Sequence, residues 1–240
     1  MRFAITVRID EEMKNKPREG SYTEITMPII QKYAESVGAD LVYLSESSEC
    51  EIGDGRWHYR ILELYNLYDR YDRILNLDAD ILINKNCPNL FEVVPYDNIG
   101  SVLEDKGSRK DHRRELIKDV QKKHGDVGWI SGYINTGVFL TSRVHRDIFQ
   151  RIDGHFWTGS GFDDVHLGYN IHKHGYEIFE MDYRYNHMTM FSEKWNGKVN
   201  RLNSYIIHYA GAGIFEKRLY RKKITRLEQI RKDYRYIYDG

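Results

Sequence analysis

An α/β domain, with a mixed, mostly parallel central sheet flanked by helices, is the fold class predicted by three observations. The first half alternates β-branched apolar runs with segments whose apolar residues recur at helical spacing. No Pro/Gly/Ser-rich linker divides the 240 residues, a length that fills one core. Charged residues at 30% and hydrophobic residues at 41% give the balance of a folded globular chain rather than a disordered one.

The elements follow in order. "RFAITVRI" is β-branched and bounded by the charged loop "DEEMKNKPREG", which predicts a first strand at the centre of a parallel sheet. Tyr22 to Val37 places Ile25, Ile29, Ile30, Tyr33, Ala34 and Val37 at helical spacing and stops at Gly38, as a helix C-terminus does. "ADLVYLS" is the next strand, and "WHYRILELYNLYDRY" returns to the helical period with Ile61, Leu62, Tyr65 and Tyr68 on one side. "DRILNLDADILI" follows as a strand and completes βαβαβ, the Rossmann-like pattern of a doubly wound sheet. In such sheets ligands collect beyond the carboxyl ends of the strands.

The second half is less regular. "DNIGSVLE" reads as a strand, "RRELIKDVQKKHG" as a helix, and "YINTGVFLTS" as a strand interrupted by Asn-Thr-Gly. "FDDVHLGYNIHKHG" has helical spacing and a terminal glycine, and "SYIIHYAGAG" is a strand running into a small-residue loop. The last stretch predicts a basic helix with Tyr220, Ile224, Leu227, Ile230, Tyr234 and Ile237 along one stripe. Between Glu216 and Asp239 it holds nine Lys or Arg against four acids, a net charge of +5. Two readings fit this tail: an apolar stripe packed on the domain, or a surface making weak peripheral contact with an anionic membrane or an acidic acceptor.

Composition excludes several functions. Thirty-six basic and thirty-six acidic residues cancel, so no global field points to nucleic acid. Cys50 and Cys87 form neither a CxxC pair nor a zinc-spaced cluster; they fit a reduced, cytoplasmic setting, although two cysteines can also form one bridge. The opening "MRFAITVRIDEE" has an apolar run too short for a signal peptide or a membrane span.

The chemistry concentrates in "RILNLDADILIN", where Asp78 and Asp80 flank Ala79 at a strand end. Two unpaired anions there repel each other and lose hydration, so a cation is expected. Hard oxygen ligands suit Mg²⁺ or Mn²⁺, whose remaining ligands are waters and phosphate oxygens. The alternative is a strand-end turn in which Asp80 caps a backbone group and Asp78 pairs with an arginine. His208 in "IIHYAG" also sits at a strand end, either as an imidazole ligand or as a half-buried histidine bonded to a carbonyl. Asn135 puts a carboxamide into an apolar strand, and a buried amide must be satisfied by backbone or by a ligand hydroxyl. Asp163 and Asp164 stand where a helix begins, a position that helix capping alone explains.

Four segments together are more specific than any one. "YDRILNLDADILI" resembles the DXD signature of nucleotide-sugar glycosyltransferases with the GT-A fold. "YINTGVFLTS", "GFDDVHLGYNI" and "IIHYAGAG" resemble three further segments of the retaining glycosyltransferases around family 8 and related bacterial, phage and large-virus transferases. All four occur in the family's order, over roughly residues 3–213. The resemblance implies a GT-A catalytic domain over residues 1–213, and the tyrosines through the stripe of the last stretch favour a helical extension, 214–240, packed on it. It implies a transferase that moves a sugar from a nucleoside-diphosphate sugar, UDP being the commonest, to a glycan or glycoconjugate hydroxyl, with Mn²⁺ or Mg²⁺ held by Asp78, Asp80 and His208.

The same resemblance implies roles residue by residue. Thr6, Val7 and Arg8 would meet the base and ribose, and Ala79 lies between the metal ligands. Gly211 and Gly213 would let backbone N–H groups approach the diphosphate. Arg60 resembles a basic residue on the helix before the DXD strand, with a solvated helix arginine as the alternative. Asn135 and Asp163 would contact the donor sugar. The chain departs from the family twice. Where relatives continue to Lys-Pro-Trp it reads "HYAGAGIFEKR", leaving Lys217 or Arg218 to supply a phosphate-binding charge. Where they have Gln it has Asp164, a carboxylate suited either to stabilise or attack an anomeric carbon with retention, or to act as general base with inversion. The resemblance favours retention. The acceptor is expected over "DKGSRKDHRREL" and "GHFWTGSGF", where Trp129, Phe156 and Trp157 would stack on sugar rings.

Two rival functions fit less well. A sugar-1-phosphate nucleotidylyltransferase needs a Gly-rich basic loop after the first strand, and "TVRIDEEMKNKPREG" lacks the glycine cluster. A non-catalytic carbohydrate-binding protein has no need of the aspartate pair, His208 and Asn135 together.

Overall fold

The computed structural model describes residues 1–9, 20–44, 57–189, 200–210 and 225–239. β1 (Phe3–Arg8) is buried from its second residue onward and pairs in parallel with β2 (Ala39–Leu44) on one side and β3 (Arg73–Leu77) on the other. A strand flanked on both edges and covered on both faces needs the continuous apolar run this one has. α1 (Thr23–Ser36) links β1 to β2 and buries Ile29, Ile30, Tyr33 and Ala34. It ends at Gly38, whose φ of +67° is a left-handed turn that glycine takes without steric cost.

Between β2 and β3 the predicted helix is instead a 3₁₀ segment, Trp57–Glu63, closed by one α-helical turn, α2 (Leu64–Leu67). The buried pairs Tyr59/Leu62 and Ile61/Leu64 are three residues apart, which is the period of the tighter helix. A larger difference concerns "DRILNLDADILI". It is not one strand: β3 stops at Leu77, Asp78 to Asp80 turn, and β4 (Ile81–Ile83) enters a second sheet. Aspartates two apart on a continuous strand would share one face of a buried sheet, whereas the turn carries both to its edge.

The chain continues through α3 (Leu90–Val93), β5 (Ile99–Leu103), α4 (Lys110–His124) and β6 (Ile134–Ser142). Then come α5 (Phe162–His174), β7 (Ile178–Glu180), β8 (His187–Met188), β9 (Ile206–His208) and α6 (Arg226–Tyr234). The main sheet runs β2-β1-β3-β6-β5-β7, with β6 antiparallel to both neighbours and the other pairs parallel. The small sheet is β4-β9-β8, in which Ile81 pairs with His208. That register sets His208 directly beside Asp80.

Apolar clusters fill both faces. Ile29, Ile30, Ile83, Ile207 and Ile230 belong to one, and Tyr59, Leu64, Leu167 and Ile171 to the other. A third joins α4 to α5 and takes in Trp129 and Trp157. Only 1% of Trp129 and 6% of Trp157 is exposed, so neither offers a face to a sugar. Phe156 packs against the second cluster with the Arg151 guanidinium 4.6 Å from its ring centre. The two tryptophans are core residues and Phe156 is partly buried against the core, as their bulk and apolarity favour.

The C-terminal helix is shorter than its stripe suggested. α6 begins at Arg226 behind a Thr225 cap, Ile230 is buried, and Tyr220 and Ile224 lie outside the described residues. Its buried side also carries Gln229 and Asp233, so the described part packs on the fold through a mixed surface. No described helix is long and apolar enough to cross a membrane.

Candidate active site

The turn after β3, the end of β9, the first half of β6 and the start of α5 converge on a cavity of about 490 Å³. Asp78, Asp80 and His208 line it, as do Arg8, Asp163 and Asp164. Ligating atoms of Asp78, Asp80 and His208 all lie within 4.8 Å of one another.

β6 holds this arrangement together through Asn-Thr-Gly. The Gly137 carbonyl accepts from Asp78 N–H at 2.9 Å, tying the turn to the strand. A Cβ at Gly137 would lie 2.2 Å from His208 Cε1, so only a glycine lets the imidazole rest on the strand at this distance. Thr136 Oγ1 donates to Asp163 Oδ2 at 2.8 Å and Thr136 N–H to Asp164 Oδ1 at 2.9 Å. The two helix-start carboxylates are thus fixed from β6. Neither side chain caps α5, whose N-cap is Gly161.

Asn135 is held within the protein through both ends of its amide. Its Oδ1 accepts from Gly137 N–H at 3.0 Å and from Asn186 Nδ2 at 2.7 Å, and its Nδ2 donates to Glu104 Oε1 at 2.7 Å. Asn186 Oδ1 in turn accepts from His208 Nδ1 at 2.9 Å. The chain Glu104–Asn135–Asn186–His208 fixes the ring and leaves Nε2 facing the aspartates, the arrangement that outer-shell partners give a metal-binding histidine. Glu104 is itself held by Arg109 Nη2 at 3.0 Å and Arg113 Nε at 2.6 Å.

Nε2 of His208 lies 3.4 Å from an oxygen of Asp78 and 3.4 Å from an oxygen of Asp80. Adjacent corners of an octahedron with bonds of about 2.1 Å are about 3.0 Å apart, so a small contraction accommodates Mg²⁺ or Mn²⁺, and two carboxylates with one imidazole are a suitable donor set. Without the ion, protonation serves. Burial pushes the His208 pKa down, but hydrogen bonds from its ring to the two aspartates, and their charges, outweigh it and carry it up to about 10.

Arg8 is the second counter-charge. Its Nη2 lies 2.5 Å from Asp78 Oδ1, and its Nη1 lies 2.5 Å from Asp163 Oδ2 and donates to His58 O at 2.9 Å. Burial would raise the Asp78 pKa, yet Arg8 and His208 overcome it and hold the carboxyl well below the usual range. Burial would likewise lower the Arg8 pKa, and Asp78 and Asp163 reverse the sign. Asp164 behaves oppositely: burial and the charges of Asp163 and Glu104 push it well above the usual range, against Arg113 and the Thr136 N–H.

Other expected residues fall elsewhere. Thr6 is buried and donates to Asn76 Oδ1 at 3.1 Å, and Val7 belongs to the core, so neither side chain lines the cavity. Arg60 is also outside the lining; its Nη1 donates to Ile9 O at 2.6 Å and so holds the end of β1. Ala79 does line the cavity. Gly211, Gly213, Lys217 and Arg218 lie outside the described residues. Arg226, Glu104 and Asn186 join the site without having been anticipated, because each reaches it through pairings with residues distant in sequence. For Arg226 a signal existed: Thr-x-x-Glu at 225–228 marks a helix start. Phe162 is a further addition. It is 39% exposed, has φ +41° and stacks on His58 with ring centres 4.8 Å apart.

The model of the family described as "Glycosyl transferase family 8" matches residues 22–143. No curated protein matches the chain in sequence. Among solved structures, the galactosyltransferase LgtC in complex with donor and acceptor sugar analogs is similar with a TM-score of 0.59 at 14% identity, over 98% of this chain and 96% of that one. A glycosyltransferase involved in the glycosylation of the major capsid of PBCV-1 gives a TM-score of 0.56 at 14% identity, over 97% and 98% of the two chains. Mouse xyloside xylosyltransferase 1 in its apo form gives 0.50 at 12% identity, over 87% and 97%. At these identities the likeness is one of fold.

Proposed function

The chain belongs to glycosyl transferase family 8 and is a glycosyltransferase, and on that premise we propose that it transfers a sugar from a UDP-sugar to a glycan or glycoconjugate hydroxyl, in a divalent-metal-dependent reaction that retains configuration. The observation that carries the reading is the convergence of Asp78, Asp80 and His208 on one point of the cavity that also holds Asp163 and Asp164.

Asp78, Asp80 and His208 would hold Mn²⁺ or Mg²⁺. Such an ion supplies Lewis-acid neutralisation of the charge that builds on a departing diphosphate. The chain's own groups do the rest. Asn186 fixes the His208 ring, and Arg8 ties Asp78 to Asp163 so that the metal end and the sugar end of the cavity keep one geometry. Asp163, anchored by Thr136, would accept from donor-sugar hydroxyls. Asp164, beside it, would present a carboxyl oxygen to positive charge developing at an anomeric carbon. Asn135 shapes the pocket floor as part of the His208 support, with donor-sugar contact as a second role. Gly211 and Gly213 are assigned to the diphosphate by family resemblance, residues 214–240 to an extension of the 1–213 catalytic unit, and the cytoplasm is our placement from cysteine usage.

The test is release of nucleoside diphosphate from a panel of sugar nucleotides with and without Mn²⁺ or Mg²⁺. Metal-dependent turnover or donor hydrolysis is expected with at least one UDP-sugar, and Asp80→Ala should lower it by about 10²-fold or more while the chain still folds. Turnover that is indifferent to chelators, or undiminished in Asp80→Ala, refutes the metal role.

A further inference from the structure

The cavity has a wall that the catalytic core does not supply. α6 is fixed over β9 by Asp233, whose buried carboxylate accepts from Arg201 Nε at 2.8 Å and Nη2 at 3.0 Å, Tyr209 Oη at 2.8 Å and Gln229 Nε2 at 2.8 Å. Tyr209 follows His208, so the helix is tied to the strand end that carries the imidazole. The Thr225 and Glu228 capping box sets where α6 begins: Thr225 N–H donates to Glu228 Oε2 at 2.7 Å and Glu228 N–H to Thr225 Oγ1 at 3.2 Å. The first helical residue, Arg226, lines the cavity with its guanidinium carbon 5.7 Å from the centre of the Tyr22 ring.

Asp80 divides its two oxygens between this wall and the core. Oδ1 faces His208 Nε2 at 3.4 Å, and Oδ2 lies 3.1 Å from Arg226 Nη1. A carboxylate that also ligates a divalent ion has little charge left for a guanidinium. A diphosphate bound at that ion brings several negative oxygens to the same place, and the planar guanidinium fork matches them. The other cavity arginines are committed to further carboxylates: Arg8 bridges Asp78 to Asp163, while Arg109 and Arg113 hold Glu104.

We infer that Arg226 is a donor-binding residue that exchanges Asp80 for the diphosphate of the nucleotide sugar when metal and donor load, making the C-terminal helix part of the binding site. This rests on the reading of the cavity as a metal–nucleotide-sugar site, and extends it to a residue outside the DXD, His and Asn-Thr-Gly segments. The exchange has two signs. Arg226 competes with the ion for Asp80, yet it strengthens the diphosphate complex once the ion is bound.

The experiment titrates the 240-residue chain by calorimetry, first with Mn²⁺ alone and then with UDP at saturating Mn²⁺, for the wild type, Arg226→Ala and Arg226→Lys. Arg226→Ala should bind Mn²⁺ as tightly as the wild type or several-fold more tightly, and UDP about tenfold or more weakly. Arg226→Lys, which keeps the charge without the fork, should fall between. Unchanged UDP affinity in Arg226→Ala overturns the inference, as does a parallel loss of Mn²⁺ and UDP affinity, which marks Arg226 as structural support only. A wild type that binds neither Mn²⁺ nor UDP overturns the functional reading itself, and the Arg226 assignment with it. A wild type that binds both, matched by Arg226→Ala, overturns this inference alone.

Discussion

At Asp164 the protein withholds water from a carboxyl group that already faces Asp163 on its own helix and Glu104 beyond β5, with Arg113 of α4 and the Thr136 N–H pulling the other way. In the unfolded chain this group ionises near pH 4, while in the folded chain it keeps its proton to a higher pH. Between those two values the folded state binds the extra proton, so stability falls as pH rises, and below both values the contribution vanishes. Asp164→Asn keeps an oxygen for Thr136 N–H and removes the titration. The variant should match the wild type below about pH 4 and be more stable at neutral pH, the gap widening by at most about 1.4 kcal/mol per pH unit, the limit set by a single proton. Urea unfolding at a series of pH values measures this. A gap that stays constant with pH would show that Asp164 titrates normally. An acid at the position where the resemblance expects an amide should thus lower stability at neutral pH.

Among elements, β6 is the one on which the site depends, and its Asn-Thr-Gly residues do separate tasks: Asn135 supports the His208 relay, Thr136 holds Asp163 and Asp164, and Gly137 makes room for the imidazole. Gly137→Ala isolates the last. Its Cβ would also lie 3.0 Å from Asn135 Oδ1, so the ring and the amide must both shift within a packed strand. We expect a loss of about 1–3 kcal/mol in denaturant unfolding and a fall of about 10- to 100-fold in Mn²⁺ affinity by calorimetry. Mn²⁺ affinity equal to the wild type's would mean that the close approach does not set the imidazole's position. At this scale the sequence is informative in a particular way. "YINTG" marks a strand with a polar purpose, and "DAD" and "IIH" mark candidate ligands, because buried amides and paired carboxylates are conspicuous against apolar runs. Their partners were not legible. Asn186 and Gly137 become meaningful only when β8, β9 and β6 lie side by side. Similarly, the apolar run "RILNLDADILI" concealed a change of sheet, because both halves are buried and only the aspartates mark the turn.

Across the whole molecule, the βαβ alternation of the first half was readable because parallel strands, covered on both faces, are apolar throughout and their helices are periodic. β6, antiparallel between β3 and β5, was not readable from periodicity, since strand direction is fixed by long-range pairing. That central strand lets parts distant in sequence meet: Asp78 leaves the main sheet, His208 leaves the small one, and Arg226 comes from the C-terminal helix, so one loaded ligand would bridge all three. A ligand that binds only this assembled site must stabilise the fold by mass action. With Mn²⁺ saturating and UDP at 100 times its Kd, the gain is about 2.7 kcal/mol, which for a chain of this size is roughly 5–10 °C in Tm. Differential scanning calorimetry should show the shift with Mn²⁺ and UDP together, less with Mn²⁺ alone, and none for the pair in Asp80→Ala. Equal shifts in the wild type and Asp80→Ala would place the nucleotide away from the turn after β3. A shift that needs Asp80 ties the stability of both sheets to the chemistry at their junction.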